Sequence, residues 1–127
     1  LVADAVAAGQ RWIATLNIHR GDAGAAEIAR ANVAAFLAAG GTVLYGTDLG
    51  NGDRGSGVLE GELVELDRAG VRGRALIAAL CDPWPGQPIT GVSTFIPGPA
   101  PATLDAVAPW LGGATVVPAE ELVHDEP

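Results

Sequence analysis

The run Thr42-Val43-Leu44-Tyr45-Gly46-Thr47-Asp48 decides the fold. Residues 42–45 form a short apolar run with no polar alternation, the pattern of a strand buried on both faces, as in parallel sheets. Gly46 ends that run, and Asp48 follows at what becomes the strand's carboxyl end. In parallel α/β folds the loops converge there, and functional groups collect on them. The following loop, residues 46–57, holds five glycines, two aspartates and one arginine. Glycines let backbone or substrate come close to a carboxylate. An aspartate so placed can bind a divalent metal or act as a general base. It can equally cap a turn or pair with an arginine.

Working outward, residues 25–39 read as a helix with Ile28, Val33, Phe36 and Leu37 on its apolar face, capped by Asp22 and stopped by Gly40-Gly41. Residues 11–18 read as a strand rich in β-branched and aromatic side chains, and residues 17–24 as a polar loop. Residues 1–8 read as a helix closed by Gly9. Beyond the glycine-rich loop, residues 59–69 read as a helix with Leu59, Leu63 and Leu66 on one side, ended by Gly70, and residues 72–80 as another. Helix, strand, helix, strand, helix, helix implies parallel βαβ units. The remainder differs, because all nine prolines fall in residues 81–127. A strand over 89–96, a break at Pro97-Gly98-Pro99, a short helix over 104–111, a strand over 114–117 and a frayed end from 120 are expected there.

The 127 residues suit one domain, and 49% apolar content supplies a core. The net charge is −8, from 15 acids and seven bases, every one of which is arginine. An acidic chain with no basic cluster argues against nucleic acid or an anionic membrane as partner. No run reaches the roughly 18 apolar residues of a membrane span, and the opening residues lack the basic region of a signal peptide. The single cysteine, Cys81, forms no internal disulfide and suits a reducing, cytoplasmic location. The chain opens directly on an apolar helical pattern without Met, as if cut from something longer.

Other chemistry-bearing residues read more plainly. His19 follows the first strand and has the chemistry of a ligand or proton shuttle, but a lone histidine in a polar loop reads as a solvated side chain. Asp53 and Arg54 read as a surface pair. Glu60, Glu62 and Glu65 read as a solvated helix face, and His124 as inert. Trp12, Trp84 and Trp110 read as packing residues, and Cys81 as a small buried hydrophobe. No His-x-His, His-Glu-x-x-His, paired cysteines or lysine-bearing phosphate loop occurs. Asp48, even with His19, falls short of the three or four protein ligands that zinc takes.

Residues 32–48, with a helix, an Ala-Ala-Gly stop, an apolar strand and Gly46-Thr47-Asp48, resemble the end of an amidohydrolase-superfamily barrel. Residues 8–16 are similar to the seventh-strand pattern of imidazolonepropionase-like members, with Ala14 where Pro is common. Glu62-Leu63, Ala69-Gly70 and residues 74–79 resemble the helices that follow, and Cys81-Asp82-Pro83 stands near a Thr-x-Asn-Pro pattern. The resemblance spans residues 1–83.

It implies that residues 1–83 are the C-terminal part of a (β/α)8 TIM-type barrel, its last two strands and their helices. Residues 84–127 then form a Pro-rich tail, part of a small β domain. It implies a hydrolase acting on non-peptide C–N bonds of a small cyclic amide with one or two divalent metal ions, expected to be zinc. Asp48 would be both metal ligand and the catalytic proton acceptor. The family's histidine ligands have no counterpart in this sequence, and the resemblance puts them ahead of Leu1. A barrel of this kind needs roughly 250 residues, so the remainder of the barrel, a partner chain or a homo-oligomer would complete the core. The other reading is a non-catalytic α/β fragment, an association module whose apolar face a partner completes.

Overall fold

The computed structural model describes residues 1–48, 57–81 and 92–118. Three Ala-Gly pairs punctuate the first part of the chain. Helix α1 (Val2–Ala7) ends at Ala8-Gly9, α2 (Ala23–Ala38) at Ala39-Gly40, and α3 (Glu60–Arg68) at Ala69-Gly70. Each glycine takes a positive φ, +65°, +88° and +101° respectively. The next residue's N–H then reaches back to the last turn: Gln10 to the Ala5 carbonyl, Gly41 to Phe36 and Val71 to Leu66, at 2.9–3.0 Å. This is the Schellman closure, which glycine enters without the penalty a Cβ would carry. Strands β1 (Arg11–Ala14) and β2 (Thr42–Tyr45) start directly after the first two closures.

The two strands pair in parallel, with Arg11 opposite Thr42 and Ala14 opposite Tyr45. The face carrying Trp12, Ala14, Val43 and Tyr45 packs into the main apolar cluster with Val33, Phe36, Leu63 and Leu66. The Trp12 and Phe36 rings stack with centroids 3.9 Å apart and planes 1° apart. Val43 and Leu44, neighbours in sequence, are both buried, so β2 is covered on both faces as its sequence predicts. On β1, Ile13 is 55% exposed. It lies on the sheet face that points away from α2. A Cβ on Gly46 would stand 2.5 Å from the Ile13 side chain and 3.1 Å from the Ala14 carbonyl oxygen. Only glycine lets the chain leaving β2 hug the end of β1.

Helix α4 (Arg74–Cys81) packs against β2, and α5 (Val107–Gly112) against α3, where Val107, Ala108 and Leu111 join the same cluster. Strands β3 (Val92–Phe95) and β4 (Thr115–Pro118) form a separate antiparallel pair. Arg72 bonds both Asp67 and Asp105, tying the 3₁₀ turn Leu104–Ala106 to the end of α3. The chain is thus mixed α/β, with five helices among the described residues. No helix among those residues is long and apolar enough to cross a membrane.

Several expectations are corrected. The first strand stops at Ala14, because residues 16–19 turn into a 3₁₀ helix that carries the chain toward α2. Ile28 is 65% exposed. The buried side of α2 is Ala26, Val33 and Phe36, and the stack of Phe36 on Trp12 turns Ile28 outward. Cys81 is exposed at the end of α4, since Leu76 and Ala79 take the buried side of that helix. Asp22 caps α2 as expected, accepting from the Ala25 N–H at 3.0 Å.

Candidate functional site

The carboxyl ends of β1 and β2 lie level, and the first turn of α3 is fastened to both. From β2, the Tyr45 hydroxyl accepts the Leu59 N–H at 2.6 Å, just ahead of α3. From α3, the Glu62 carboxylate reaches the turn after β1. Its Oε1 accepts from the Leu16 N–H at 2.7 Å and its Oε2 from the Asn17 N–H at 2.6 Å. Glu62 is fully buried. This corrects the expectation of a solvated face at Glu60, Glu62 and Glu65. Glu60 is exposed, but Glu62 is a buried strut. Glu65 joins α2 to α3, bonding Arg30 at 2.6 Å and Arg68 at 2.7 Å. A buried carboxylate is tolerated where charge-assisted hydrogen bonds replace water.

Asp48 stands three residues beyond β2, exposed, with φ +51°. It is the single non-glycine residue at positive φ among the described residues. That left-handed conformation is disfavoured for L-residues, though aspartate tolerates it better than most. Thr47 before it is buried. His19 ends the 3₁₀ turn Leu16–His19, half-buried, and its carbonyl accepts from the Asp22 N–H at 2.8 Å. Asp53, Arg54, Trp84 and His124 lie outside the described residues.

Among the described residues, no three His, Cys, Asp or Glu side chains group closely enough to hold a metal ion. Their donor set does not by itself fit a resident metal, and Asp48 would be one ligand of a set completed from elsewhere. An apolar groove of about 210 Å³ runs along β2, lined by Leu37, Thr42, Val43, Leu44, Val71 and Ala79. It has no converging polar groups and begins toward the opposite end of the strand, so it is not the site of chemistry.

Sequence reasoning overlooked Asn17, Tyr45 and Glu62. Asn17 is buried, yet its Nδ2 has no hydrogen-bond partner. A buried donor left idle costs about 1–3 kcal/mol. A signal for Glu62 was present: it lies three residues after Leu59 and four before Leu66, on the apolar side of its helix.

Burial raises the Tyr45 pKa, the Leu59 N–H bond opposes this, and the Glu62 charge adds to the rise. A pKa raised on folding contributes stability below the unfolded value of about 10 and loses it as pH climbs through the folded value. Unfolding should therefore become easier above pH about 10. In Tyr45→Phe that extra slope should disappear, and stability at neutral pH should fall by about 1 kcal/mol through the lost acceptor. Urea titrations of both proteins from neutral to alkaline pH check this. An equal alkaline slope in the two would contradict the assignment.

No family model, curated protein or solved structure matches the chain.

Proposed function

We propose that this chain supplies the last two strands of a (β/α)8 barrel hydrolase that cleaves C–N bonds in small cyclic amides, with Asp48 as its contribution to a divalent-metal site. The observation that carries the reading is the placement of Asp48. An aspartate held at positive φ, just past the carboxyl end of a strand buried on both faces, is where such folds put a reacting carboxylate. Asp48 would give one oxygen ligand and accept a proton. The remaining ligands are assigned to the rest of the barrel.

The pairing of the strands agrees with an incomplete barrel. Among the described residues each parallel strand has one neighbour, and on β1 the Ile13 side chain is exposed. A two-stranded parallel sheet leaves backbone groups open to further pairing. The same observation favours the second reading, an α/β association module whose face a partner chain covers.

The experiment is metal removal from the intact protein. Hydantoin, dihydrouracil and succinimide serve as substrates, and ring opening is followed as carboxylate release. Treatment with dipicolinate should abolish hydrolysis, and zinc should restore it. Undiminished hydrolysis after metal removal would defeat the metal-dependent mechanism and the ligand role of Asp48. An intact protein that opens none of the rings with or without zinc would defeat the hydrolase reading itself and favour the association module.

A further inference from the structure

The apolar groove beside β2 takes its place from the strand. Val43 and Leu44 are neighbours whose side chains point to opposite faces of the sheet, and both line the groove. It therefore follows an edge of β2 rather than either face. β1 pairs along the other edge, so this is the free one. Its walls come from Leu37 near the end of α2, from Val71, and from Ala75 and Ala78 on α4. Ala75 and Ala78 are exposed, so the groove opens to solvent. Val43 and Leu44 are buried, yet among the described residues no hydrogen bond reaches the backbone groups on this edge. Buried backbone N–H and C=O groups are nearly always paired. An apolar trough edged by idle backbone groups suits one kind of occupant, an extended chain that adds a strand.

Size and charge narrow that occupant. Nine residues line the groove, far fewer than the roughly 20–30 a side in a stable interface between folded proteins. That argues for a short segment over a second copy of the chain. The chain carries a net charge of −8, but no acidic side chain lines the groove. Arg74 stands at its rim, next to Ala75 and one helical turn before Ala78. It is exposed and has no carboxylate partner among the described residues, whereas Arg72 is taken by Asp67 and Asp105. We propose that the free edge of β2 binds an extended peptide segment of a partner protein, with apolar residues at alternate positions and an acidic residue that pairs with Arg74. Backbone bonds to β2 hold the segment, the groove selects its apolar side chains, and Arg74 selects its charge. The proposal rests on the association-module reading and names that module's partner.

Two end-capped hexapeptides are the probes, Glu-Thr-Val-Thr-Val-Ser and Ser-Val-Thr-Val-Thr-Glu, since a strand edge accepts a neighbour in either direction. Each is titrated into the isotope-labelled intact protein. With one of them, the groove-facing amides of residues 42–45 should shift saturably and exchange with solvent at least about 10-fold more slowly. Proline at both central positions of that peptide should abolish binding. Ala78→Phe, a substitution at an exposed position, should plug the groove and do the same, while Arg74→Glu should weaken binding about 3- to 10-fold. Two peptides that leave these amides unmoved, or equal affinity in wild type and both variants, overturn the proposal. If the amides are already slow to exchange without peptide and the intact protein opens rings with zinc, its own chain fills the edge, and the association reading itself fails. If they exchange fast and neither peptide slows them, the partner proposal alone fails.

Discussion

Replacing Glu62 with alanine should destabilise the protein by about 3–5 kcal/mol, a large part of the roughly 5–15 kcal/mol that holds a domain of this size together. Glu62 is fully buried, and its two oxygens accept the Leu16 and Asn17 amides at 2.7 and 2.6 Å. Hydrogen bonds to a charged group are each worth about 1.5–3 kcal/mol. Alanine would leave both amides without acceptors in a dry place and open a cavity beside Leu63 and Leu66. Glu62→Gln should fall between alanine and wild type, since one oxygen remains to accept. Glu60, two residues away on the same helix, is exposed, and Glu60→Ala should change stability by no more than about 0.5 kcal/mol. Urea unfolding of the four proteins measures the series. Equal midpoints for Glu62→Ala and Glu60→Ala would remove the strut from the account.

The second large effect is on rate. Asp48→Asn should slow ring opening by about 10²- to 10⁴-fold, the range for a positioned proton-transfer group, or about 3–5 kcal/mol of transition-state stabilisation. Asparagine is the informative substitution. It keeps the size of the side chain and tolerates the left-handed φ of +51°, so it removes the charge and proton-accepting capacity with little strain. Asp48 is exposed, and the variant should unfold at nearly the wild-type temperature. Lower kcat, lower bound zinc and unchanged folding together would separate a chemical role from a structural one. A variant that loses rate only because it unfolds would not meet the prediction.

Those two residues differ in how far the sequence disclosed them. Asp48 was legible because an apolar run, a glycine and an aspartate follow one another locally. The helix ends were legible for the same reason, since Gly9, Gly40 and Gly70 each follow an alanine at the close of a periodic segment. The parallel pairing followed from the alternation of helix and strand. Glu62 was not legible as a strut, because its partners at Leu16 and Asn17 lie far away in the chain. The end of β1 was misread for a related reason. Residues 15–18 have strand-like side chains, but Glu62 takes the Leu16 and Asn17 amides that a longer strand would turn toward a neighbour. Ile28 and Cys81 show the weakness of reading burial from hydrophobicity alone. Each sits on a helix whose buried side is claimed by better-placed residues, Phe36 and Val33 in one case and Leu76 and Ala79 in the other.

The central claim is that the carboxyl ends of β1 and β2 form one rim of a metal-hydrolase site with Asp48 as a ligand. Crystals of the intact protein grown with zinc, and measured at the zinc absorption edge, test it most directly. The account predicts an anomalous peak with an Asp48 carboxylate oxygen about 2.0–2.2 Å away, beyond the ends of the two strands. An active, zinc-loaded protein whose peaks all lie remote from Asp48 would contradict it.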